Sequence, residues 1–197
     1  WPVSNNPHAM YNQDRSNPEC NLNLPLWQIV RAGTAAPTYF QPEKLPMGRK
    51  DYWFIDGAVS AYNNPALIAF LFATLPEYRM NWETGEHHLF LVSVGTGLCK
   101  KYPMKKKVNH MTALEQVEFS FNLTLDSLVM HEDLLCRLWG RCLCGAEIDS
   151  EIGDLTGRGL SGEKLFSYVR YDQLFQPDEV MHPRFGNLLR IDNLKAM

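Results

Sequence analysis

The chain has 197 residues and a formal net charge of −3, with 45% of its residues hydrophobic and 21% charged. These values are typical of one globular domain with its own core, and a slightly acidic chain gives no electrostatic reason to expect a nucleic-acid partner. Five cysteines without regular spacing predict reduced thiols rather than a disulfide framework.

The first part of the chain predicts a loop and then a helix. Residues 1–23 are rich in Asn and Pro and lack an apolar period, so they are interpreted as a loop that leads into the domain. A helix is predicted from about residue 24 to residue 35. Arg31 in its last turn has two interpretations, a structural contact near the helix end or a contact with an anionic lipid head group, and the structural one is favoured. The buried stripe of this helix is predicted to consist of Leu26, Ile29 and Val30.

The next segment carries the arrangement that is most typical of a catalytic site. The aromatic and β-branched run Tyr52–Ile55 predicts a buried strand. Asp56-Gly57 follows as a turn at the carboxyl end of that strand, which is where ligands bind in open α/β sheets. Gly57 suits a positive φ or a close backbone approach. Asn64-Pro65 predicts a helix start, with Asn64 as the N-cap and an apolar helix over residues 66–75.

A second buried strand and a long helix are predicted downstream. The strand covers residues 88–94 and ends at Gly95-Thr96-Gly97, which is interpreted as a tight turn beside the Asp56 turn because no phosphate-loop lysine follows. Residues 109–140 predict a long helix. Its apolar positions fall at helical intervals and are predicted to be core; they are Leu114, Val117, Phe121, Leu125, Leu128 and Leu135.

The last third of the chain holds weaker signals. Residues 145–162 predict a loop, residues 164–171 an edge strand, and residues 188–191 a short apolar run. No internal repeat and no linker divides the chain.

Four segments stand in an order that resembles the C-terminal half of the patatin-like phospholipase family, from about residue 24 to residue 97. This resemblance implies an α/β fold that forms part of a three-layer α/β/α domain. The segments are Trp27-x-x-x-Arg31-Ala32 with Ala35-Ala36-Pro37-Thr38-Tyr39-Phe40, Asp56-Gly57-Ala58, Asn63-Asn64-Pro65-Ala66, and Ser93-x-Gly95-Thr96-Gly97.

The resemblance also implies a chemistry. In that family a serine in a Gly-x-Ser-x-Gly elbow attacks an acyl ester, the Asp of an Asp-Gly-(Gly/Ala) motif accepts its proton, and a Gly-rich loop supplies the oxyanion hole. The catalytic Asp maps onto Asp56, with Gly57, Ala58 and Asn64 supporting the active-site turn.

The nucleophile has no counterpart in this sequence. Gly-x-Ser-x-Gly is absent, and the nearest segment, residues 157–162, has the wrong spacing and no apolar strand before it, so it is interpreted as a loop. Residues 1–197 are therefore expected to be a single partial domain that lacks the elbow and the oxyanion loop. Two alternatives remain open: a non-catalytic relative that binds lipid or protein, and an acyltransferase that uses the same dyad.

The remaining expectations concern partners and location. The expected substrate is a phospholipid or another acyl lipid, with no nucleic-acid partner and no cofactor. No metal is expected, because the spacing of His131, Cys136, Cys142 and Cys144 matches no common zinc site. The expected location is cytoplasmic, with peripheral membrane contact as an option through a lysine cluster. That cluster consists of Lys100, Lys101, Lys105, Lys106 and Lys107.

Overall fold

The computed structural model describes residues 14–37, 39–99 and 111–175. Most of the predicted N-terminal loop, the lysine cluster and the apolar run at 188–191 lie outside these residues. The helices and strands of the described part are α1 (Leu26–Gly33), β1 (Glu43–Met47), β2 (Lys50–Phe54), α2 (Ala66–Thr74), β3 (Phe90–Val94), β4 (Leu98–Cys99), α3 (Ala113–Trp139), β5 (Arg141–Cys144), β6 (Ser167–Tyr171) and β7 (Leu174–Phe175).

Strands β1 and β2 form an antiparallel hairpin beside α1. The turn between them includes Gly48 at φ 61°, a conformation that favours glycine. The strand predicted at 52–55 is present as β2, but the prediction that it is buried is wrong. Its side chains alternate between a half-buried face and an exposed face. Trp53 is 66% exposed, and the Lys44 ammonium lies over its ring, 5.9 Å from the ring centroid. A hairpin packed on one face leaves its other face in solvent.

The main sheet has three parallel strands in the order β3-β6-β5. Parallel strands combined with helices confirm the predicted α/β fold class. Strand β6 lies at the centre and buries Tyr168, Val169 and Arg170. The prediction of an edge strand here is wrong, because the apparent alternation comes from polar side chains that are buried in a hydrogen-bonded network.

Helices α2 and α3 pack against one face of this sheet and enclose the core. The rings of Phe70 and Phe166 lie with their centroids 4.7 Å apart. On the opposite face, alternate residues of β3 are exposed, and Val94 is 75% exposed. The predicted second strand therefore exists at 90–94, but only one of its faces is covered by the described residues. The core cluster consists of Ala66, Phe70, Leu89, Cys136, Phe166 and Tyr168.

Helix α3 confirms the predicted long helix and begins with a capping box between Thr112 and Glu115. Its predicted core stripe is wrong over the first half, where Leu114 is 79% exposed and Val117 and Phe121 are also exposed. Twenty-seven residues extend about 40 Å, whereas five-residue strands extend about 17 Å. The sheet therefore covers only the C-terminal end of the helix.

Long as α3 is, neither it nor any other helix in the described part of the chain has the length and apolar content that crossing a bilayer requires.

Candidate active site

Asp56 lies two residues after β2, at the start of a short 3-10 turn, Gly57–Val59. Its Oδ1 accepts a hydrogen bond from the Ala58 N–H at 2.7 Å, and its own N–H donates to the Ala35 carbonyl oxygen at 3.0 Å. Asp56 is half-buried, and among the described residues its Oδ2 has no hydrogen-bond donor. One oxygen of the carboxylate is thus held by the turn, and the other is available to an external proton donor.

Gly57 contributes space rather than an unusual backbone conformation. Its φ is not in the left-handed region, and a Cβ placed on it would meet no described atom within 4 Å. Neither sequence-based reason for glycine at this position is met by the described residues. The consequence is an open surface directly beside the Asp56 carboxylate.

Asn64 is buried and lies at the start of α2. Its Oδ1 accepts hydrogen bonds from the Ala66 N–H at 3.3 Å and from the Ser93 hydroxyl at 3.0 Å. The apolar helix begins at Ala66 as predicted, but its N-cap residue is Pro65 rather than the predicted Asn64. Asn64 still satisfies the first helical N–H, and it also ties the helix start to β3.

Arg31 makes structural contacts near the end of α1. Its guanidinium donates to the Gln41 carbonyl oxygen at 3.1 Å, lies 4.0 Å from a Glu43 carboxylate oxygen, and lies 5.2 Å from the Phe40 ring centroid. These contacts agree with the structural interpretation of Arg31 rather than with a head-group contact.

No serine hydroxyl in the described ranges is hydrogen-bonded to Asp56. A serine hydroxyl does bond an aspartate elsewhere, where Ser16 donates to Asp14 Oδ1 at 2.6 Å. That pair is exposed and only two residues apart, and its hydrogen bonds hold the pKa of Asp14 below its usual value. A base with a lowered pKa on an open surface lacks the setting of a nucleophile elbow. We therefore assign the Asp14–Ser16 pair to local turn structure.

An open cavity of about 540 Å³ lies at the carboxyl ends of β5 and β6, which is the edge where parallel sheets bind ligands. Asp56 is not among its lining residues, so the cavity and the Asp56 turn are separate features. The lining residues are Cys144, Gly145, Ala146, Arg170, Tyr171, Asp172 and Gln173.

The segment Gly95-Thr96-Gly97 bends the chain after β3, at the same edge of the sheet. The Gly95 N–H donates to the Tyr171 carbonyl oxygen and the Gly97 N–H to Asp172 Oδ1, both at 2.8 Å. A Cβ on Gly95 would overlap the Asp172 carboxylate. The described hydrogen bonds of this bend therefore go to the residues at and after the end of β6. Its packing beside the Asp56 turn stays a prediction.

Ser93, Arg170 and Asp172 are polar residues at this edge whose pairing was not predicted from the sequence. Arg170 donates to the Ser93 hydroxyl oxygen and pairs with Asp172, with both distances 2.6 Å. A usable signal was present in the sequence, since Ser93 interrupts an apolar strand and Arg170 and Asp172 alternate at the end of another. Charged residues in such positions are rarely buried without partners.

The described cysteines differ in exposure. Cys20, Cys136 and Cys142 are buried, whereas Cys144 is exposed, and all four are free thiols. Within the described ranges, no group of three His, Cys, Asp or Glu side chains is placed to hold a metal ion. Burial, with a smaller contribution from Asp133, raises the pKa of the Cys136 thiol to about 12. Burial also raises the pKa of Cys142.

These differences predict selective alkylation. In the native protein at about pH 8, near the ordinary pKa of a thiol, iodoacetamide is expected to modify Cys144 well before Cys136 or Cys142, because the thiolate is the nucleophile. Peptide mass spectrometry measures the three rates, and denatured protein is the control in which they converge. Equal native rates would contradict the burial of Cys136 and Cys142.

The same burial predicts a stability change in alkali. The unfolded chain releases the Cys136 proton above its ordinary pKa of 9.0, whereas the folded state holds it to a pKa of about 12. The folded state therefore binds more protons in this range, and the free energy of unfolding is expected to fall as the pH rises from 9 towards 12. Cys136→Ala is expected to reduce that slope.

The fold and the turn together define a class. Within the described ranges, a parallel sheet carries helices on one face, and the Asp56 turn presents a carboxylate oxygen without a hydrogen-bond donor; this is the arrangement of an α/β domain.

In a comparison with family models, one part of the chain matches a known family. Residues 2–70 match the family model described as Patatin-like phospholipase. The matched segment includes the Arg31-Ala32, Asp56-Gly57-Ala58 and Asn64-Pro65 motifs, which confirms the resemblance predicted from them. At the level of the family, the match indicates lipid acyl hydrolysis. No curated protein and no solved structure matches the chain significantly.

Proposed function

We propose that the chain is the aspartate-bearing part of a lipid acyl hydrolase, in which Asp56 is the general base of a Ser-Asp dyad. The observation that carries the proposal is the Asp56 carboxylate itself, inside the segment that matches the patatin-like family. Its Oδ1 is held by the Ala58 N–H at 2.7 Å, while its Oδ2 has no described donor. A base must be oriented and must keep an oxygen for the incoming proton.

In the proposed reaction, Asp56 takes the proton of a serine hydroxyl as the serine oxygen bonds to the acyl carbon of the lipid. The ester bond to the alcohol of the lipid then breaks, and the proton passes to that alcohol. Water next attacks the acyl-enzyme in the reverse sense, releasing the fatty acid and regenerating the serine. The open surface at Gly57 provides room for the serine and the substrate beside the carboxylate.

The proposed nucleophile lies outside these 197 residues, because the sequence has no Gly-x-Ser-x-Gly segment and no described serine hydroxyl bonds Asp56. The exposed apolar face of β3, formed by Phe90, Val92 and Val94, supports this partial-domain proposal. Such a face in an α/β sheet is ordinarily covered by a further helical layer.

The substrate and location belong to the same proposal. We assign a phospholipid or another acyl lipid as substrate and a cytoplasmic setting with contact at the membrane surface. The free state of Cys20, Cys136, Cys142 and Cys144 supports a reducing compartment.

An acyltransferase would use the same dyad and differ only in whether an alcohol or water resolves the acyl-enzyme. Product analysis with a competing alcohol separates the two. A non-catalytic relative would keep Asp56 but lack the serine.

A fluorophosphonate probe that labels activated serines tests the proposal. We expect no adduct on the purified 197-residue chain and one adduct on the full-length protein, at a serine outside these residues. Intact-mass measurement before and after labelling gives the count, and peptide mapping gives the position. An adduct on the 197-residue chain would contradict the assignment of the nucleophile, and a full-length protein without an adduct would favour the non-catalytic alternative.

A further inference from the structure

Four buried polar side chains join three segments at the carboxyl edge of the main sheet, and we name them the carboxyl-edge network. Ser93 connects Asn64 to Arg170. The Ser93 hydroxyl donates to Asn64 Oδ1 at 3.0 Å and accepts from Arg170 Nη1 at 2.6 Å. Arg170 Nη2 in turn lies 2.6 Å from Asp172 Oδ2. The members are Asn64, Ser93, Arg170 and Asp172.

The burial of this network argues against a purely stabilising role. Asn64, Ser93 and Arg170 are buried, and the Asp172 side chain is only 3% exposed. A buried ion pair loses hydration that its attraction only partly restores, so well-packed apolar residues often serve stability as well or better. What apolar residues cannot supply is directed hydrogen bonding. The bond between Ser93 and Arg170 joins β3 to β6, and the two outer bonds reach Asn64 at the start of α2 and Asp172 just after β6.

One end of the network holds the bend after β3, where the Gly97 N–H donates to Asp172 Oδ1 at 2.8 Å. The other end holds Asn64, and from there a series of turn hydrogen bonds leads back to the Asp56 turn. The Asn63 N–H donates to the Ser60 carbonyl oxygen at 3.2 Å, and the Ser60 N–H to the Gly57 carbonyl oxygen at 3.0 Å. The segment between Asp56 and α2 is therefore connected to the sheet through Ser93.

We propose that the carboxyl-edge network is a positioning device for the Asp56 turn, with Ser93 as the positioning residue that transmits the constraint from Arg170 and Asp172 to Asn64. This inference rests on the proposed role of Asp56 as the base. Holding a reacting group in place matters because a displacement of about 1 Å can lower turnover about 100-fold.

The chain offers a matched pair of serine substitutions for the test. Ser93→Ala removes the bridging hydroxyl at the carboxyl edge. Ser167→Ala makes the same chemical change on β6 at the opposite edge, where the Ser167 hydroxyl donates to the Glu86 carbonyl oxygen at 2.7 Å. In the full-length protein we expect Ser93→Ala to lower kcat about 10-fold to 100-fold with little change in KM, and Ser167→Ala to leave kcat within about twofold.

Amide hydrogen exchange on the full-length protein gives a readout that does not depend on activity. The Ala58 N–H donates to Asp56, so its protection reports the geometry of the turn. Ser93→Ala is expected to lower that protection at least several-fold, and Ser167→Ala is expected to leave it unchanged. Ser93→Thr, which retains the hydroxyl, is expected to restore part of both kcat and protection.

Failure of the inference and failure of the proposed function give different results. Unchanged kcat and unchanged Ala58 protection in Ser93→Ala would overturn the inference, even where Asp56→Asn is inactive. Full turnover in Asp56→Asn would overturn the proposed base, and Ala58 protection in Ser93→Ala would then still decide whether the network positions the turn.

Discussion

Replacing Asp56 with Asn in the full-length protein is expected to lower the turnover of an acyl-lipid substrate by about 1000-fold, since a positioned base contributes roughly 100-fold to 10,000-fold. The substitution keeps the side-chain volume and the oxygen that accepts the Ala58 N–H. It removes the ability to take a proton from the serine. The loss should therefore appear in kcat more than in KM.

Asp51→Asn is the matched control for that substitution. Asp51 lies on β2, five residues before Asp56, and makes an ion pair of 2.7 Å with Lys44 on the exposed face of the hairpin. Exposed pairs of this kind contribute about 0 to 1 kcal/mol, so turnover and folding should change little. Assays of phospholipid hydrolysis with both variants measure the difference. Turnover in Asp56→Asn at the level of Asp51→Asn would refute the proposed base.

The largest expected effect on stability comes from Arg137 at the end of α3. This side chain is 1% exposed. Its guanidinium donates hydrogen bonds to three acceptors: Asp133 Oδ2 at 2.6 Å, the Ala146 carbonyl oxygen at 2.7 Å and the Asp154 carbonyl oxygen at 2.9 Å. It thus ties the helix to the loop that follows β5. A Cβ on Gly145 would overlap the guanidinium, so the loop lies directly against it.

Arg137→Met is expected to lower the free energy of unfolding by about 3 to 5 kcal/mol, because it leaves a buried carboxylate without its cation. Asp133 would retain only the hydrogen bond from the Tyr168 hydroxyl, at 2.8 Å, among its described side-chain contacts. In a chain of this size the melting temperature should fall by roughly 10 °C. Thermal and urea unfolding of the purified chain measure the change.

Arg141→Met serves as the control for Arg137→Met. Arg141 lies four residues later and pairs with Glu86 at 3.5 Å on the surface, where an ion pair contributes at most about 1 kcal/mol. Arg137→Lys should give an intermediate loss, because one ammonium group cannot match the fork of a guanidinium across three acceptors. Equal stabilities of Arg137→Met and Arg141→Met would show that the buried contacts contribute nothing.

Local signals were sufficient for the positions of the main helices and for the candidate base. Apolar residues at helical spacing predicted α1 and α3 to within a few residues, an Asn-Pro pair before an apolar run predicted α2, and an Asp-Gly pair after an aromatic run predicted the turn at Asp56. The predicted buried stripe of α1 was wrong, since Leu26 is 75% exposed and Val30 is 55% exposed. The motif order in residues 24–97 overlaps the segment that matches the patatin-like family. All of these signals are carried by neighbours along the chain, so they can be read before any tertiary contact is known.

Strand environments were not predictable in the same way. The strand at 52–55 has the composition of a buried strand, yet it belongs to a hairpin whose outer face is exposed. Strand β6 has polar positions typical of an edge, yet it is central because β3 and β5 pair on both of its sides. Burial of a strand depends on which strands and helices lie beside it, and composition contains only part of that information.

The sequence by itself determined the α/β class, the helices and the Asp56 turn, because periodicity, turn residues and motif order act over short distances. Only the tertiary structure determined which polar residues form hydrogen bonds with one another. Ser93 and Arg170 are 77 residues apart and meet only because β3 and β6 pair in parallel register. Arg137 meets Asp154 only because the chain turns back after β5. A charged group that is buried needs hydrogen-bond partners, and it becomes buried only when the sheet and helices have excluded water from around it.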